Sequence, residues 1–262
     1  MRFPIVQIDA FARRPFEGNP AAVMLLAAWL DDDVLQAIAA ENNLSETAFL
    51  LPDETGASDF ELRWFTPAAE VALCGHATLA SGHFVLSSDP ARDAVTFRTR
   101  QAGILTVSRA GDAYELALPA WAPSPKPMPE IVAALGVEPV ETLWHEKGYA
   151  LIIVADEAAV RATAPDGRAL KALGPIVHII SARGETADVV SRVFTDYFDI
   201  PEDPVTGSAH AVMVPYWAQS LGADFTAYQA SARGGHLTCR LDGDRVVLGG
   251  ACVTTLEGTF FL

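Results

Sequence analysis

The sequence predicts an α+β fold of two pseudo-symmetric repeats, each with strands wrapped around a central buried helix. Two observations predict it. The first is a fixed internal offset. Gly75 and Gly207 stand 132 positions apart, and the same spacing joins Ala77 to Ala209, Gly103 to Gly235, Leu105 and Thr106 to Leu237 and Thr238, Gly111 and Asp112 to Gly243 and Asp244, and Leu116 to Leu248. A register kept without gaps through a helix, a loop and a hairpin reads as an ancient duplication. The second is that the segments opening at the paired glycines, 75–86 and 207–217, contain no formally charged residue. A helix without a charged face is not a surface helix, so each belongs inside its own half.

The elements follow in chain order. Pro4 to Ala12 reads as a strand. Asp31 to Asn43 reads as a polar-faced helix, with Asp31 to Asp33 at the end where carboxylates suit free amides. Glu46 to Leu51 is the next strand, and the first uncharged helix opens at Gly75. The proline-rich stretch Pro119 to Pro129 sustains neither helix nor sheet for long, so it marks the boundary. The expected repeats are therefore 1–118 and 119–262, with the last strand free to pair back with the first half. In the second repeat Leu143 to Val154 is dense in β-branched residues and reads as a strand. Asp156 to Ala162 and Gly167 to Leu173 read as short helices broken by Pro165, and Pro175 to Ser181 as a strand. The second uncharged helix opens at Gly207. Pro215 should kink it, and the sequence offers no reason for a proline there.

Composition narrows the partners. The net charge is −15, from 33 acidic and 18 basic residues, so the averaged field repels nucleic acid and anionic membranes. Small molecules become the expected partners. The three cysteines, Cys74, Cys239 and Cys252, form neither a disulfide framework nor a spaced zinc cluster. A reducing cytoplasm fits them, and the opening residues carry no export signal. No apolar run approaches the ~20 residues that cross a bilayer.

The chemistry starts from the helix starts. Each leaves about four amides unpaired, and burying them without a partner is costly. A bound carboxylate would satisfy both starts, and glycine at each lets it approach the backbone. If the halves face each other, two positive ends converge on one cleft and stabilise a developing enolate. The plainer alternative makes Gly75 and Gly207 ordinary turn residues. Glu46 heads an apolar strand, where partial burial would raise a carboxyl toward the range of a useful base. On position alone it reads first as a solvated strand end. Asp203 precedes Pro204 near the second helix start and reads equally as a turn former or cap. His76, in the first turn of its helix, is favoured as a neutral imidazole that donates to a substrate oxygen, or is a packed polar core residue.

A metal is not expected, because His76 and His83 stand seven residues apart on one helix, ~10 Å, too far for one zinc. Arg233-Gly234-Gly235-His236 lacks the spacing and the following helix of a phosphate-binding loop. No nucleotide cofactor is expected either.

Several blocks together carry a resemblance. They are Asp9-Ala10-Phe11 with Pro15 to Val23, Asn43 to Phe49, Phe65-Thr66-Pro67 with Cys74 to Thr78, Glu202 to Ala209, and Gln229 to Gly235. Spread over nearly the whole chain, they resemble the phenazine-biosynthesis-like (PhzF-like) family, which has the diaminopimelate epimerase-like fold. The resemblance implies a barrel-like mixed β-sheet around a central helix in each half, and a homodimer. It also implies a cofactor-free isomerase acting on a small carboxylic acid. Glu46 would be its general acid/base, and His76 and Asp203 would orient the substrate and relay the proton. Amides of Gly75, Gly207 and Ser208 would grip the carboxylate, with Asn19 as a further contributor. Related epimerases use one thiol at each helix start. Here Cys74 holds the first place and Thr206 the second, and a threonine hydroxyl does not ionise near neutral pH. The resemblance therefore makes Cys74 a small packed residue. Two alternatives stand beside this reading: an amino-acid epimerase or racemase using Cys74, and a non-catalytic small-acid binding protein.

Overall fold

The computed structural model describes residues 1–262. The chain divides into two compact units, Met1–Ala117 with Gly249–Leu262, and Leu118–Leu248. The expected division at residue 118 assigns 249–262 to the second repeat but leaves its last strand free to pair back, and the structure places this segment in the first unit. The reason is strand pairing: Cys252–Phe261 runs antiparallel to Arg2–Ala10, from Phe261 opposite Arg2 to Cys252 opposite Ala10. The last strand thereby supplies main-chain partners that the first would otherwise lack on that side.

In the first unit, hydrogen-bonded neighbours run Cys252–Phe261, Arg2–Ala10, Asn19–Leu25, Glu46–Pro52, Phe60–Phe65, Ala94–Thr99, Ile104–Ala110 and Ala113–Pro119. The short strand Glu70–Val71 also pairs with Phe60–Phe65. Two neighbour pairs are parallel, Asn19–Leu25 with Glu46–Pro52 and Phe60–Phe65 with Ala94–Thr99; the rest are antiparallel.

The second unit repeats this order of parallel and antiparallel neighbours. It runs Ser124–Pro125, Glu141–His145, Tyr149–Ile153, Val177–Arg183, Val189–Thr195, Asp224–Gln229 and Gly235–Asp242, with Ile200–Glu202 also on Val189–Thr195. Tyr149–Ile153 with Val177–Arg183 and Val189–Thr195 with Asp224–Gln229 are its parallel pairs. The registers match residue by residue. Thr47 faces Phe65 as His178 faces Phe194, and Ala21 faces Glu46 as Tyr149 faces Val177.

Both uncharged segments are buried helices, Gly75–Ser88 and Gly207–Leu221. The first packs against Arg2–Ala10, Asn19–Leu25, Glu46–Pro52, Ala94–Thr99 and Ile104–Ala110, and the second against Tyr149–Ile153, Asp224–Gln229 and Gly235–Asp242. Packing is close enough that a Cβ on Gly82 would lie 2.3 Å from Val107 Cγ1. The opposite sheet faces carry the remaining helices. Asp32–Asn42 covers Met24, Phe49 and Phe65 in the first unit. Pro129–Leu135, Glu157–Ala162 and Gly167–Ala172 cover Ile152, Ile180 and Phe194 in the second.

Two local expectations change. Leu143 to Val154 is not one strand but a hairpin, Glu141–His145 and Tyr149–Ile153, turning at Gly148 with φ +84. The proline-rich stretch is more than a linker: Ser124–Pro125 pairs with Leu143 and Trp144, and Pro129 opens a helix where its missing N–H loses nothing. Pro215 lies inside the single helix Gly207–Leu221.

Candidate active site

In the first unit, four side chains meet at the start of Gly75–Ser88. Glu46 is the first residue of its strand and its side chain is only 14% exposed, so it does not stand in open water. His76 lies in the first helical turn, with Nε2 2.9 Å from Glu46 Oε2. This is a close charge contact rather than a well-aligned hydrogen bond. On the other side of the ring, Asn19 Nδ2 is 3.2 Å from Nδ1 and Cys74 Sγ is 3.5 Å from it. Asn19, Cys74 and His76 are all buried.

Local backbone explains how Asn19 arrives. Gly18 has φ +66, and a Cβ there would stand 2.1 Å from the Ala10 carbonyl oxygen. Only glycine permits that approach, which starts the next strand with Asn19 opposite Ala10. The turn is fixed from the other side by Asp9, whose carboxylate accepts the Phe16 N–H at 2.9 Å.

The electrostatics couple the group. Burial, then the Glu46 charge, push the Cys74 thiol up to about 11, with His76 pulling it down. The sulfur therefore carries its proton at neutral pH. Burial opposes a charge on the His76 ring, but the negative charges of an ionised Cys74 and of Glu46 outweigh it and raise its pKa above the ordinary value. The share owed to Cys74 operates only when the sulfur is ionised, so Cys74 and His76 titrate as a pair.

Glu46, Cys74 and His76 also form a group whose donor atoms lie within 4.8 Å of one another. Reasoning from histidine pairs missed it. His83 is occupied elsewhere, near Tyr114 Oη at 3.1 Å and Thr254 Oγ1 at 3.0 Å. The imidazole stands between the other two groups, with Nδ1 toward the thiol and Nε2 toward the carboxylate. The imidazole therefore links the thiol and the carboxylate into a chain of proton-bearing groups.

The second unit builds a different cluster at the start of Gly207–Leu221. The Thr206 hydroxyl donates to Asp203 Oδ2 at 2.5 Å. Gln229 ties the segment down from below: Oε1 accepts the Thr206 N–H at 2.9 Å and Nε2 donates to the Asp203 carbonyl at 2.7 Å. Ser208 shares a hydrogen bond with Tyr149. Burial raises the Tyr149 phenol, the bond from Ser208 lowers it, and the charge of Asp203 raises it again.

The expected site residues thus fall into two groups: Asn19, Glu46, Gly75 and His76 in the first unit, and Asp203, Gly207 and Ser208 in the second. Matching the registers exposes their difference. The place of Glu46 is taken by Val177, that of Cys74 by Thr206, and that of His76 by Ser208. Sequence reasoning missed the contact of Cys74 with His76 and the roles of Tyr149 and Gln229. Gln229 lay inside a resembling block, but Tyr149 gave no signal beyond strand propensity.

Comparison with known proteins agrees with this architecture. Residues 8–258 match the family described as phenazine biosynthesis-like protein, PhzC-PhzF. An uncharacterised isomerase of Pseudomonas aeruginosa is 46% identical over 265 residues, covering 100% of both chains. The crystal structure of a phenazine biosynthesis protein of the PhzF family from Enterococcus faecalis superposes with a TM-score of 0.92 at 43% identity, covering 100% of each chain. A hydroxyproline epimerase from Agrobacterium vitis shares the fold alone, with a TM-score of 0.70 at 11% identity over 98% of this chain and 92% of that one. The chain belongs to the phenazine biosynthesis-like (PhzC-PhzF) family.

Proposed function

We propose that the chain is a cofactor-independent isomerase that shifts a proton on a small carboxylate-bearing metabolite, with Glu46 as the general acid/base. The observation that carries this reading is the Glu46 carboxylate 2.9 Å from His76 at the amide end of a buried helix. Glu46 takes a proton from a substrate carbon, and the C–H electron pair spreads into a conjugated system. Glu46 then returns the proton at a different carbon. His76 and Asp203 orient the substrate and help relay the proton. The amides of Gly75, Gly207 and Ser208 hold the carboxylate, with Asn19 close by. The reading includes a homodimer working in the cytoplasm.

Two further facts support it. Relatives in the family carry the name isomerase. In the matched registers Val177 stands in the second unit where Glu46 stands in the first, which supports a single Glu46-type base per chain. A Cys74-dependent epimerase is favoured by the 3.5 Å contact between Cys74 and His76. Against it stand a thiol pushed up to about 11 and Thr206 in the second thiol position.

The test is incubation with a library of small unsaturated and amino carboxylic acids in deuterated water, read by mass spectrometry. One acid should gain deuterium, and Glu46→Gln should block the gain. If Cys74→Ala blocks it while Glu46→Gln does not, the thiol epimerase replaces this reading. If no acid gains deuterium, a non-catalytic acid-binding protein replaces it.

A further inference from the structure

We propose that Asn19 and Cys74 are positioning residues that fix His76 in a single state, with its proton on Nε2 toward Glu46, Nδ1 bare, and the sulfur kept as a thiol. Three placements carry this. The Asn19 side-chain N–H donates toward Nδ1 at 3.2 Å, Cys74 Sγ stands 3.5 Å from the same nitrogen, and Nε2 faces Glu46 at 2.9 Å.

Consider where the protons sit. Three forms are available: a thiol beside a neutral ring, a thiol beside an imidazolium, and, with the sulfur proton moved to Nδ1, a thiolate beside an imidazolium. Nε2 keeps its proton in all three. Only the line between Sγ and Nδ1 changes, and an amide N–H aimed at Nδ1 favours the form in which that nitrogen has a free lone pair. The side chains are buried, so a misdirected donor would be poorly compensated by water.

The consequence rests on the isomerase reading. His76 presents a donor, not a competing base, so it takes part in the relay through its Nε2–H while Glu46 removes the proton from carbon. The same arrangement denies Cys74 the ionised state a thiol base needs. Asn19 then acts through the ring rather than as a primary carboxylate ligand.

The test uses the full-length protein without substrate, with ¹⁵N-labelled histidine, at neutral pH. Correlations from the ring protons should show His76 with a protonated Nε2 and a bare Nδ1. Asn19→Asp replaces the donor by an acceptor and should protonate both nitrogens. The second ring proton should come without an ultraviolet thiolate absorbance, because an added carboxylate, like the Glu46 charge, holds the proton on Cys74. The wild-type spectrum decides even if that variant fails to fold. Two protonated nitrogens, or a bare Nε2, would overturn the proposal. The spectrum is independent of turnover: failed deuterium exchange with the expected spectrum sinks the isomerase alone, and exchange with a contrary spectrum sinks this assignment alone.

Discussion

The backbone N–H of Trp121 donates to the carbonyl of Ala211 at 2.9 Å, which is the carbonyl that Pro215, having no N–H, leaves without a helical partner. The bond answers the question raised by a proline inside a buried helix. Trp121 lies in the proline-rich stretch that leads into the second unit, so this stretch caps the break rather than merely connecting.

It follows that Pro215→Ala should gain little. A proline inside a helix ordinarily costs about 3 kcal/mol relative to alanine. Because the orphaned carbonyl already has a partner, the gain here should be under about 1 kcal/mol, measured by urea unfolding. A gain of the full size would show that the Trp121 contact compensates nothing.

Stability should fall on mild acidification because of two buried histidines in the second unit. Burial holds the pKa of both His178 and His210 at about 4, against an ordinary 6.5. Between those values the unfolded chain binds more protons than the folded one, so unfolding free energy rises with pH. The penalty is absent above about 6.5 and full below about 4, reaching about 3 kcal/mol for each ring. His210 Nδ1 donates to the Thr206 carbonyl at 2.8 Å, and His210→Gln keeps a donor while removing the titration. Urea unfolding across this window should show a shallower pH slope for His210→Gln than for the wild type. Equal slopes would mean that His210 charges freely when folded.

At Gly82 the first central helix lies close against Val107 of its sheet. A methyl group there would meet buried Val107 at 2.3 Å, so Gly82→Ala should destabilise by about 1–3 kcal/mol through overpacking. Val107→Ala alone should also destabilise, by opening a cavity. Combined, the two should cost less than their sum, which a double-mutant cycle would read as favourable coupling. Additive losses would place the strain elsewhere.

The legible parts of the fold were those with a local signature. Two helices without a charge and a constant offset were enough to place both central helices, because burial on all sides leaves its mark in every turn. The hairpin at 141–153 was read as one strand because its turn residues, Glu146 and Lys147, interrupt a run whose flanks look alike. The pairing of Cys252–Phe261 with Arg2–Ala10 joins opposite ends of the chain and has no local sign. Pro215 looked anomalous for the same reason, since its compensation comes from Trp121. In the site, Glu46 and His76 were each plausible alone, but their 2.9 Å approach depends on the strand start packing beside the helix start. Cys74 reads as inert packing because a histidine two residues on does not by itself turn its ring toward the thiol, and Asn19, which meets the same ring nitrogen, lies far away in sequence.

The segment leading into each helix start is anchored in both units by the same device, and this gives the last prediction. Arg63 grips Glu70 with Nε and Nη2, both at 2.8 Å, and lies over the Phe65 ring; Arg192 grips Glu202 at 2.7 and 2.9 Å and lies over Phe194. Glu202 immediately precedes Asp203, so the Arg192 fork fixes the strand that presents this carboxylate. A lysine retains the charge but not the two-pronged geometry. Arg192→Lys should therefore cost about 1–2 kcal/mol in urea unfolding and lower deuterium exchange into the substrate more than it weakens binding. Glu202→Gln, which keeps two polar atoms but loses the charge, should act in the same direction. If Arg192→Lys retains both stability and exchange at wild-type levels, the strand before Asp203 is held by Gln229 and the main chain alone.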